Sequence, residues 1–316
     1  MNPTPLLDLF SLPASASVMS LHREAPVWAV MTPDAHVVLK RTSSRHGGAV
    51  AAWSHALVSG GVRVVAPLRG PLTLPGDEAT DDPAAWVMYP FVAGTRYQGR
   101  AREIGAAARL LGDIHMFDPS RLFGLPEHTS VRTFRADELD ELMTSVLDAV
   151  SVTFPARLEE VRLLLAERRE RYLEDVLPRV LTLPLPLVNC SWDHKAANLV
   201  FLPSGMPVLV DPDNAARLPR RYDLALTALS FHLDASLHSG PARLLSPDEW
   251  NLFLRGYTRR VTLTAAERDA WPDVLLCAWM DESLWQLHAA GTKWQDERLG
   301  PGLLELLRLP HVFALE

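Results

Sequence analysis

The spacing of apolar residues changes at Gly94, and this change constrains the fold more than any other feature of the sequence. Before Gly94, short apolar runs alternate with turn-forming residues, a pattern typical of β-strands. After Gly94, apolar residues return every three or four positions, as on one face of a helix. The first part therefore predicts a β-hairpin over 27–41, a short helix over 49–58 closed by Gly60-Gly61, and strands over 62–68 and 84–92.

The second part of the chain predicts helices that are interrupted by short strands. Three apolar pieces between Pro184 and Val210, namely LPLVNC, ANLVFL and VLVD, indicate those strands, and helical patterns resume after them. The earlier helical patterns cover 101–117, 135–150 and 156–180.

With 316 residues, 48% of them hydrophobic, the chain is long enough for one large domain or for two lobes that share a cleft. No linker separates it into independent halves. We predict an α+β fold of two lobes, a small β-rich N-lobe over 1–93 and a larger, mainly helical C-lobe over 94–316. The cleft between two such lobes is a natural place for a ligand.

Composition excludes several classes of protein. A formal charge of −7 is unlike the basic excess of nucleic-acid binders, so we expect no nucleic-acid partner. The N-terminal stretch lacks the basic region of a signal peptide, and no apolar run is long enough to span a bilayer. Cys190 and Cys277 are far apart and suggest neither a disulfide framework nor a zinc site. We expect a cytoplasmic protein that does not engage a membrane, and either a monomer or a homodimer.

Acidic and amide side chains are concentrated in two neighbouring loops. In the segment VNCSWDHKAANLVF, Asp193 and Asn198 lie five positions apart between apolar pieces, and VLVDPDNA with Asp211 follows. Rigid flanking strands would direct these three side chains toward one point. Because buried carboxylates need a partner, magnesium is the simplest ligand that also does chemistry.

The pattern D-x-x-x-x-N, followed by an Asp at the end of an apolar strand, meets the needs of kinase-type phosphoryl transfer. In that chemistry one Asp accepts the proton of the attacking hydroxyl, while an Asn and a second Asp hold the metal. A strand lysine grips the nucleotide phosphates, and Lys40 at the end of the predicted hairpin is its candidate.

The chain resembles the aminoglycoside phosphotransferase and choline kinase family, small-molecule relatives of the protein kinases with a protein-kinase-like fold. Four segments carry the resemblance over most of the chain. WVMYPFVAG is similar to the hinge, ARLLGDIHMF to a helix ending in Leu/Ile-His, SWDHKAANLVF to the catalytic loop, and VLVDPDNAARLPRRYDLAL to the metal loop and the helix that follows it.

The resemblance implies a role for each candidate residue. Asp193 would be the catalytic base, Asn198 and Asp211 the magnesium ligands, and Lys40 the phosphate-binding lysine. Backbone groups near Tyr89 and Phe91 would bind adenine, with Met88 beside the ring, and Asp223 would brace the catalytic loop. We add the hypothesis that Lys195 neutralises γ-phosphate charge in the transition state.

Other polar residues receive structural or open interpretations. His115, at the end of an apolar helix, is predicted to be a hydrogen-bonded core histidine. His194 and His232 have no second ligand at metal spacing. Asp213 either assists the metal or caps the next turn.

The chain departs from the family pattern at two places. The family's catalytic loop normally reads His-Gly-Asp, whereas this chain has Ser191-Trp192-Asp193. The family's helix after the lysine strand carries a Glu that pairs with the lysine, yet residues 46–58 contain neither Glu nor Asp. Lys40 is therefore left without an evident partner, and a glycine-rich loop is missing before the hairpin.

These observations predict an ATP- and Mg²⁺-dependent phosphotransferase that acts on a hydroxyl of a small molecule, with an aminoglycoside or another antibiotic as one candidate acceptor. GTP remains possible as the donor. Asp281 and Glu282 are candidates to attract a cationic amine on the acceptor, or they form a solvated helix face. The alternative function is a catalytically impaired kinase fold that binds a ligand or a protein, suggested by the missing helix Glu.

Overall fold

The structure is a computed structural model that describes residues 4–22, 25–74, 84–118, 120–128, 134–237, 240–308 and 313–315. An antiparallel sheet occupies the N-terminal part and helices dominate the rest, which confirms the predicted α+β class. The boundary between lobes at 93/94 stays a prediction.

The N-terminal part consists of five antiparallel strands and two helices. The strands are β1 (Ser17–Ser20), β2 (Val27–Met31), β3 (His36–Ser43), β4 (Arg69–Thr73) and β5 (Ala84–Pro90), in the order β1-β2-β3-β5-β4, and the helices are α1 (Thr4–Leu9) and α2 (Gly47–Ser59). The predicted hairpin is confirmed, with Val27 opposite Lys40. The predicted helix over 49–58 and the strand over 84–92 are confirmed as α2 and β5, while α1 and β1 were not predicted.

The two faces of this sheet pack against different partners because side chains alternate along each strand. On one face, Leu39 and Trp86 pack with Leu6 and Phe10 at the N-terminus. The opposite face packs toward the C-terminal part of the chain, with Val65, Val87, Tyr89 and Val208 in one apolar cluster.

The predicted strand over 62–68 is wrong. Val64 forms only an isolated bridge with Leu209, and the N–H of Val65 donates to the carbonyl of Leu209 at 2.9 Å. This segment therefore connects the two parts of the chain, and the strand beside β5 begins later, at Arg69. Pro71 is tolerated there because β4 lies at the edge of the sheet.

The C-terminal part is mainly helical, as predicted. Its first and sixth helices cross closely, since a Cβ on Gly256 would lie 2.7 Å from the carbonyl oxygen of Gly105. No helix among the described residues is long and apolar enough to cross a membrane. The helices are α3 (Ala101–Met116), α4 (Ala136–Thr153), α5 (Leu158–Arg171), α6 (Leu177–Val180), α7 (Arg220–Ser230), α8 (Pro247–Thr258), α9 (Ala265–Asp269), α10 (Trp271–Ala278), α11 (Leu284–Ala289) and α12 (Gly300–Arg308).

Five short strands lie among these helices and form two small sheets. They are β6 (Thr95–Arg96), β7 (Leu187–Cys190), β8 (Leu199–Phe201), β9 (Pro207–Leu209) and β10 (Ala216–Pro219). The sheets have the orders β6-β8-β9 and β10-β7. Strands β7, β8 and β9 confirm the three predicted apolar pieces, whereas β6 and β10 were not predicted.

Candidate active site

Two strand pairs bring the predicted catalytic and metal loops side by side. Cys190 of β7 lies opposite Ala216 of β10, and Leu199 of β8 lies opposite Leu209 of β9. The catalytic loop spans 191–198 and the metal loop spans 210–215, so each runs from one strand pair to the other. The N–H of Val210 also donates to the carbonyl of Asn198 at 2.9 Å, which fixes the loops to each other.

The carboxylate of Asp193 is held by amide and ammonium donors. Asn198 Nδ2 lies 2.9 Å from Asp193 Oδ2 and 3.0 Å from its backbone carbonyl. Lys195 Nζ lies 2.9 Å from Oδ1, and Asn214 Nδ2 lies 3.4 Å from Oδ2. The structure therefore brings together Asp193, Asn198 and Lys195, three of the predicted site residues.

Lys40 has two acidic partners that the sequence did not reveal. Its ammonium forms an ion pair with Asp211 and lies 3.1 Å from Asp213 Oδ2. Burial alone would lower the pKa of Lys40, but the two carboxylates outweigh it and raise that pKa above its ordinary value. The expectation that Lys40 lacks a partner is wrong, because metal-loop carboxylates occupy the role of the missing helix Glu.

Tyr89 contributes its side chain to the site, which sequence reasoning missed. Its hydroxyl donates to Asp213 Oδ1 at 2.6 Å. Burial, together with Asp213 and Asp211, raises the pKa of Tyr89, so the hydroxyl remains a donor. Val87 of β5 lies opposite Lys40, and Tyr89 is two positions further along the same strand. Residues two apart on a strand share one face of the sheet, so this spacing could have placed Tyr89 on the face that carries Lys40.

Two of the predicted adenine-site residues are arranged differently from the expectation. Met88 packs on the opposite face of the sheet, with Leu39 and Trp86, so its side chain does not face the cleft. The Phe91 N–H donates to the carbonyl of His36 at 3.1 Å, and the two rings stack with centroids 3.6 Å apart. The Phe91 N–H is therefore already engaged.

The chemistry of the metal loop fits a magnesium ion. Asp211 and Asp213 converge on the single ammonium of Lys40, so they already form one cation position. The backbone bond between Val210 and Asn198 fixes the segment that carries the Asn198 amide to the start of the metal loop. Carboxylate and amide oxygens are the ligands that Mg²⁺ prefers. Because Asp213 belongs to this group, its contacts favour the metal-assisting role over a turn cap.

The two predicted acceptor acids are separated by the structure. Glu282 lines a cavity of about 450 Å³ that also contacts Asp213 and Asn214. Asp281 is buried and accepts a hydrogen bond from the hydroxyl of Tyr222, so its place in the acceptor site was a wrong expectation. Neighbouring positions on a helix point in different directions, which explains the difference.

The catalytic loop is anchored to the core by a histidine rather than directly by Asp223. His194 Nε2 lies 3.0 Å from the carbonyl of Ala107, and burial lowers the pKa of His194 to about 4, so the ring is neutral. Asp223 Oδ2 instead lies 2.9 Å from His115 Nε2. His115 is fully buried, and its Nδ1 lies 2.8 Å from the hydroxyl of Tyr257, which confirms that it is a core histidine.

Known proteins resemble this chain in fold. A search of curated proteins finds no match. Among solved structures, an amicoumacin kinase in complex with AMP-PNP, Ca²⁺ and Ami has a TM-score of 0.66 at 13% identity, covering 100% of this chain and 96% of that one. A spectinomycin phosphotransferase bound to ADP and spectinomycin has a TM-score of 0.61 at 13% identity, covering 99% and 94%.

A third structure, a microcompartment-associated aminopropanol kinase, has a TM-score of 0.55 at 17% identity and covers 96% of this chain and 100% of that one. These similarities confirm the predicted kinase-like fold. The model of the phosphotransferase enzyme family matches residues 18–251, which is most of the chain and includes both site loops. The chain therefore belongs to the phosphotransferase enzyme family.

Proposed function

We propose that the protein transfers the γ-phosphate of ATP, with Mg²⁺, to a hydroxyl group of a small molecule. The observation that carries the proposal is the pairing of two clusters across adjoining loops. Asp193 is held by Asn198 in one loop, and Lys40 is held by Asp211 and Asp213 in the other. One cluster can activate an acceptor while the other holds phosphates and a metal.

Asp193 would orient the acceptor hydroxyl and take its proton as the new oxygen–phosphorus bond forms. The bond between the γ-phosphorus and its bridging oxygen breaks, and ADP leaves with the electron pair. Asn198 donates one hydrogen bond to the carboxylate and one to the backbone carbonyl of Asp193, which together fix the direction of attack. Lys195 lies within 3.0 Å of both Asp193 oxygens, a position from which its ammonium can also approach a phosphate.

The nucleotide would lie in the cleft between the sheet and the metal loop. The apolar cluster of Val65, Val87 and Val208 offers a wall for adenine. Lys40 would contact the phosphates, and for this its ammonium must exchange at least one carboxylate partner for phosphate oxygens. Asn198 and Asp211, with Asp213 beside them, would hold Mg²⁺, which neutralises phosphate charge when bound.

Two observations bear on the narrower questions of acceptor and activity. Three structurally similar proteins are named for amicoumacin, spectinomycin and aminopropanol, which supports testing antibiotics and amino alcohols as acceptors. The impaired-kinase alternative rested on an unpartnered Lys40, and the ion pairs of Lys40 with the metal loop remove that reason. We therefore favour an active enzyme.

Nucleotide binding can be measured before any acceptor is known. We expect ATP with MgCl₂ to raise the melting temperature by about 5–10 °C at a hundredfold excess over Kd. The Asp211→Ala variant should lose this rise because it removes a predicted metal ligand. Asp34→Ala, at an exposed hairpin turn, is the matched control and should keep it. GTP, measured in the same way, tests the choice of donor.

Turnover is then measured with spectinomycin, amicoumacin and aminopropanol by following ADP release. Phosphorylation of any of the three that depends on MgCl₂ supports the proposal. A wild-type protein whose melting temperature responds to neither ATP nor GTP in the presence of MgCl₂ contradicts the proposed function.

A further inference from the structure

Trp192, the residue before the catalytic Asp193, has a backbone conformation that a tryptophan rarely adopts. Its φ angle is +53°, in the left-handed region. Bulky residues are outliers there because Cβ approaches the following carbonyl, whereas glycine has no such penalty. Glycine would meet no such penalty at this position, so the chain keeps a strained tryptophan where an unstrained residue would serve the backbone.

Core packing accounts for only part of this tryptophan, which packs against the main apolar core on one side. Its side chain is half-buried. The indole meets the ring of His128 edge-on, with centroids 4.6 Å apart and planes at 70°. His128 is in turn fixed by its backbone N–H, which donates to the backbone carbonyl of Arg217 at 2.8 Å. The indole is therefore held in place beside the catalytic carboxylate without being enclosed.

The exposed part of Trp192 lines the same 450 Å³ cavity as Glu282. Trp285 lines that cavity too and is 47% exposed, an unusual exposure for so large an apolar side chain. Asn214, also in the lining, reaches Asp193 at 3.4 Å, so the cavity opens next to the proposed base. Two indoles and a carboxylate thus surround the space where an acceptor would lie.

The charge of the lining selects the kind of acceptor. Glu282 is acidic and would repel an anionic acceptor, whereas the charge of Asp213 is already paired with Lys40. Indole faces attract cations through the negative potential of the ring, and a nearby carboxylate adds a direct ion pair. An alcohol that carries an ammonium group satisfies both kinds of group at once.

We propose that Trp192 is a specificity-determining residue of the acceptor site, and that with Trp285 and Glu282 it binds the ammonium group of a small amino alcohol. This inference rests on the proposed function, because it assigns the acceptor side of that site. The left-handed backbone is retained because it directs the indole into the cavity beside Asp193.

Three variants test the role of Trp192 and Glu282. Trp192→Ala removes the indole but keeps the strained backbone, Trp192→Gly removes both, and Glu282→Gln removes the charge alone. Glu297→Gln, at an exposed acid outside the cavity lining, is the matched control. Binding of spectinomycin and of aminopropanol is measured by titration calorimetry with AMP-PNP and MgCl₂ present, and propane-1,2-diol serves as the uncharged counterpart of aminopropanol.

We expect wild-type protein to bind at least one of the two amines saturably. Where aminopropanol binds, propane-1,2-diol should bind at least about tenfold more weakly. The Kd for the amine should rise at least about tenfold in all three variants and stay unchanged in Glu297→Gln. Trp192→Gly should melt about 2–4 °C above Trp192→Ala, because glycine relieves the backbone.

Two results would overturn the proposal. One is wild-type protein that binds neither amine; the other is a Trp192→Ala variant that binds the amine as tightly as wild type does. Either result, obtained with a protein that still shows the MgATP-dependent rise in melting temperature, refutes the acceptor assignment while leaving the proposed phosphotransferase intact. Loss of that rise in the wild type refutes the proposed function itself.

Discussion

Replacing Lys40 by methionine tests whether the ion pairs with the metal loop hold the apo site together. The Lys40 side chain is 17% exposed and lies between Asp213, at 11%, and Asp211, at 32%. Methionine has a similar length but no charge, so the Lys40→Met variant leaves two carboxylates facing each other without the ammonium, while the hydroxyl of Tyr89 still donates to Asp213.

The magnitude follows from the burial of the groups. Removing one partner of a fully buried ion pair costs about 3–5 kcal/mol, because the remaining charge is left uncompensated. Water reaches the one-third exposed Asp211 and reduces this cost, so we expect about 2 kcal/mol at pH 8. For a chain of this size, that loss corresponds to a fall of about 4–8 °C in melting temperature.

The dependence on pH gives the prediction its sign. The pKa of Lys40 is raised above 10.5 in the folded state, so its contribution to wild-type stability is fully present below 10.5 and is lost only at higher pH. Wild type therefore keeps this contribution at both pH 5 and pH 8. In Lys40→Met the two like charges repel each other, and protons taken up at low pH relieve that repulsion. The difference between wild type and variant should shrink at pH 5.

Thermal melts followed by circular dichroism at pH 5 and pH 8 measure both effects. Adding MgCl₂ at pH 8 should restore part of the loss in Lys40→Met, since the ion replaces the missing ammonium. Lys293→Met, at an exposed lysine, controls for the change of net charge. An equal melting temperature for wild type and Lys40→Met at pH 8, or a loss that is the same at both pH values, would refute the reasoning.

Three further predictions concern the proposed base Asp193, the packing of two helices, and the ion pair between Glu249 and Arg243. Asp193→Asn should lower turnover by about 10²–10⁴-fold, as expected for loss of a general base, with little change in melting temperature. Gly256→Ala should destabilise the protein by about 1–3 kcal/mol in urea unfolding because the new Cβ meets the Gly105 carbonyl, whereas Gly48→Ala, with open space around it, should be neutral or stabilising. Burial would raise the pKa of Glu249, but its hydrogen bonds with Arg243 and the Ser246 N–H lower that pKa to about 2. The contribution of Glu249 to folding stability is therefore present above pH 4.5 and is lost as the pH falls toward 2. In acid titrations from pH 4.5 to pH 2, the free energy of unfolding should therefore fall less in Glu249→Gln than in wild type.

The parts of the fold that the sequence predicts well are those fixed by local patterns. The hairpin that ends at Lys40 and the helix that begins at Ala101 depend on turn residues and on periodicity within their own segments. The strand assigned to 62–68 failed because its apolar residues serve a distant partner, since Val64 bridges Leu209 of β9. Strand β10 was missed for the same reason: Ala216 pairs with Cys190, and its own sequence carries no strand pattern.

The candidate site shows the same division between local and distant information. Asp193, Asn198 and Asp211 were identifiable because their spacing along the chain carries the pattern. The partnership of Lys40 with Asp211 joins residues 171 positions apart, and no periodicity encodes it. The strain at Trp192 is likewise a backbone property, which appears only once the loop is folded between its strand pairs.

The position of Lys40 has a consequence for how ligands bind. A lysine paired with a helix Glu can stay in place when a metal arrives, but here the ammonium occupies the carboxylates that a metal needs. On the proposed function, magnesium would displace Lys40 from Asp211, and the displaced ammonium would require new negative charge, which nucleotide phosphates would supply. Each ligand thus lowers the free-energy cost of binding the other, so ATP and Mg²⁺ are expected to bind with positive coupling, and the coupling should disappear in Lys40→Met.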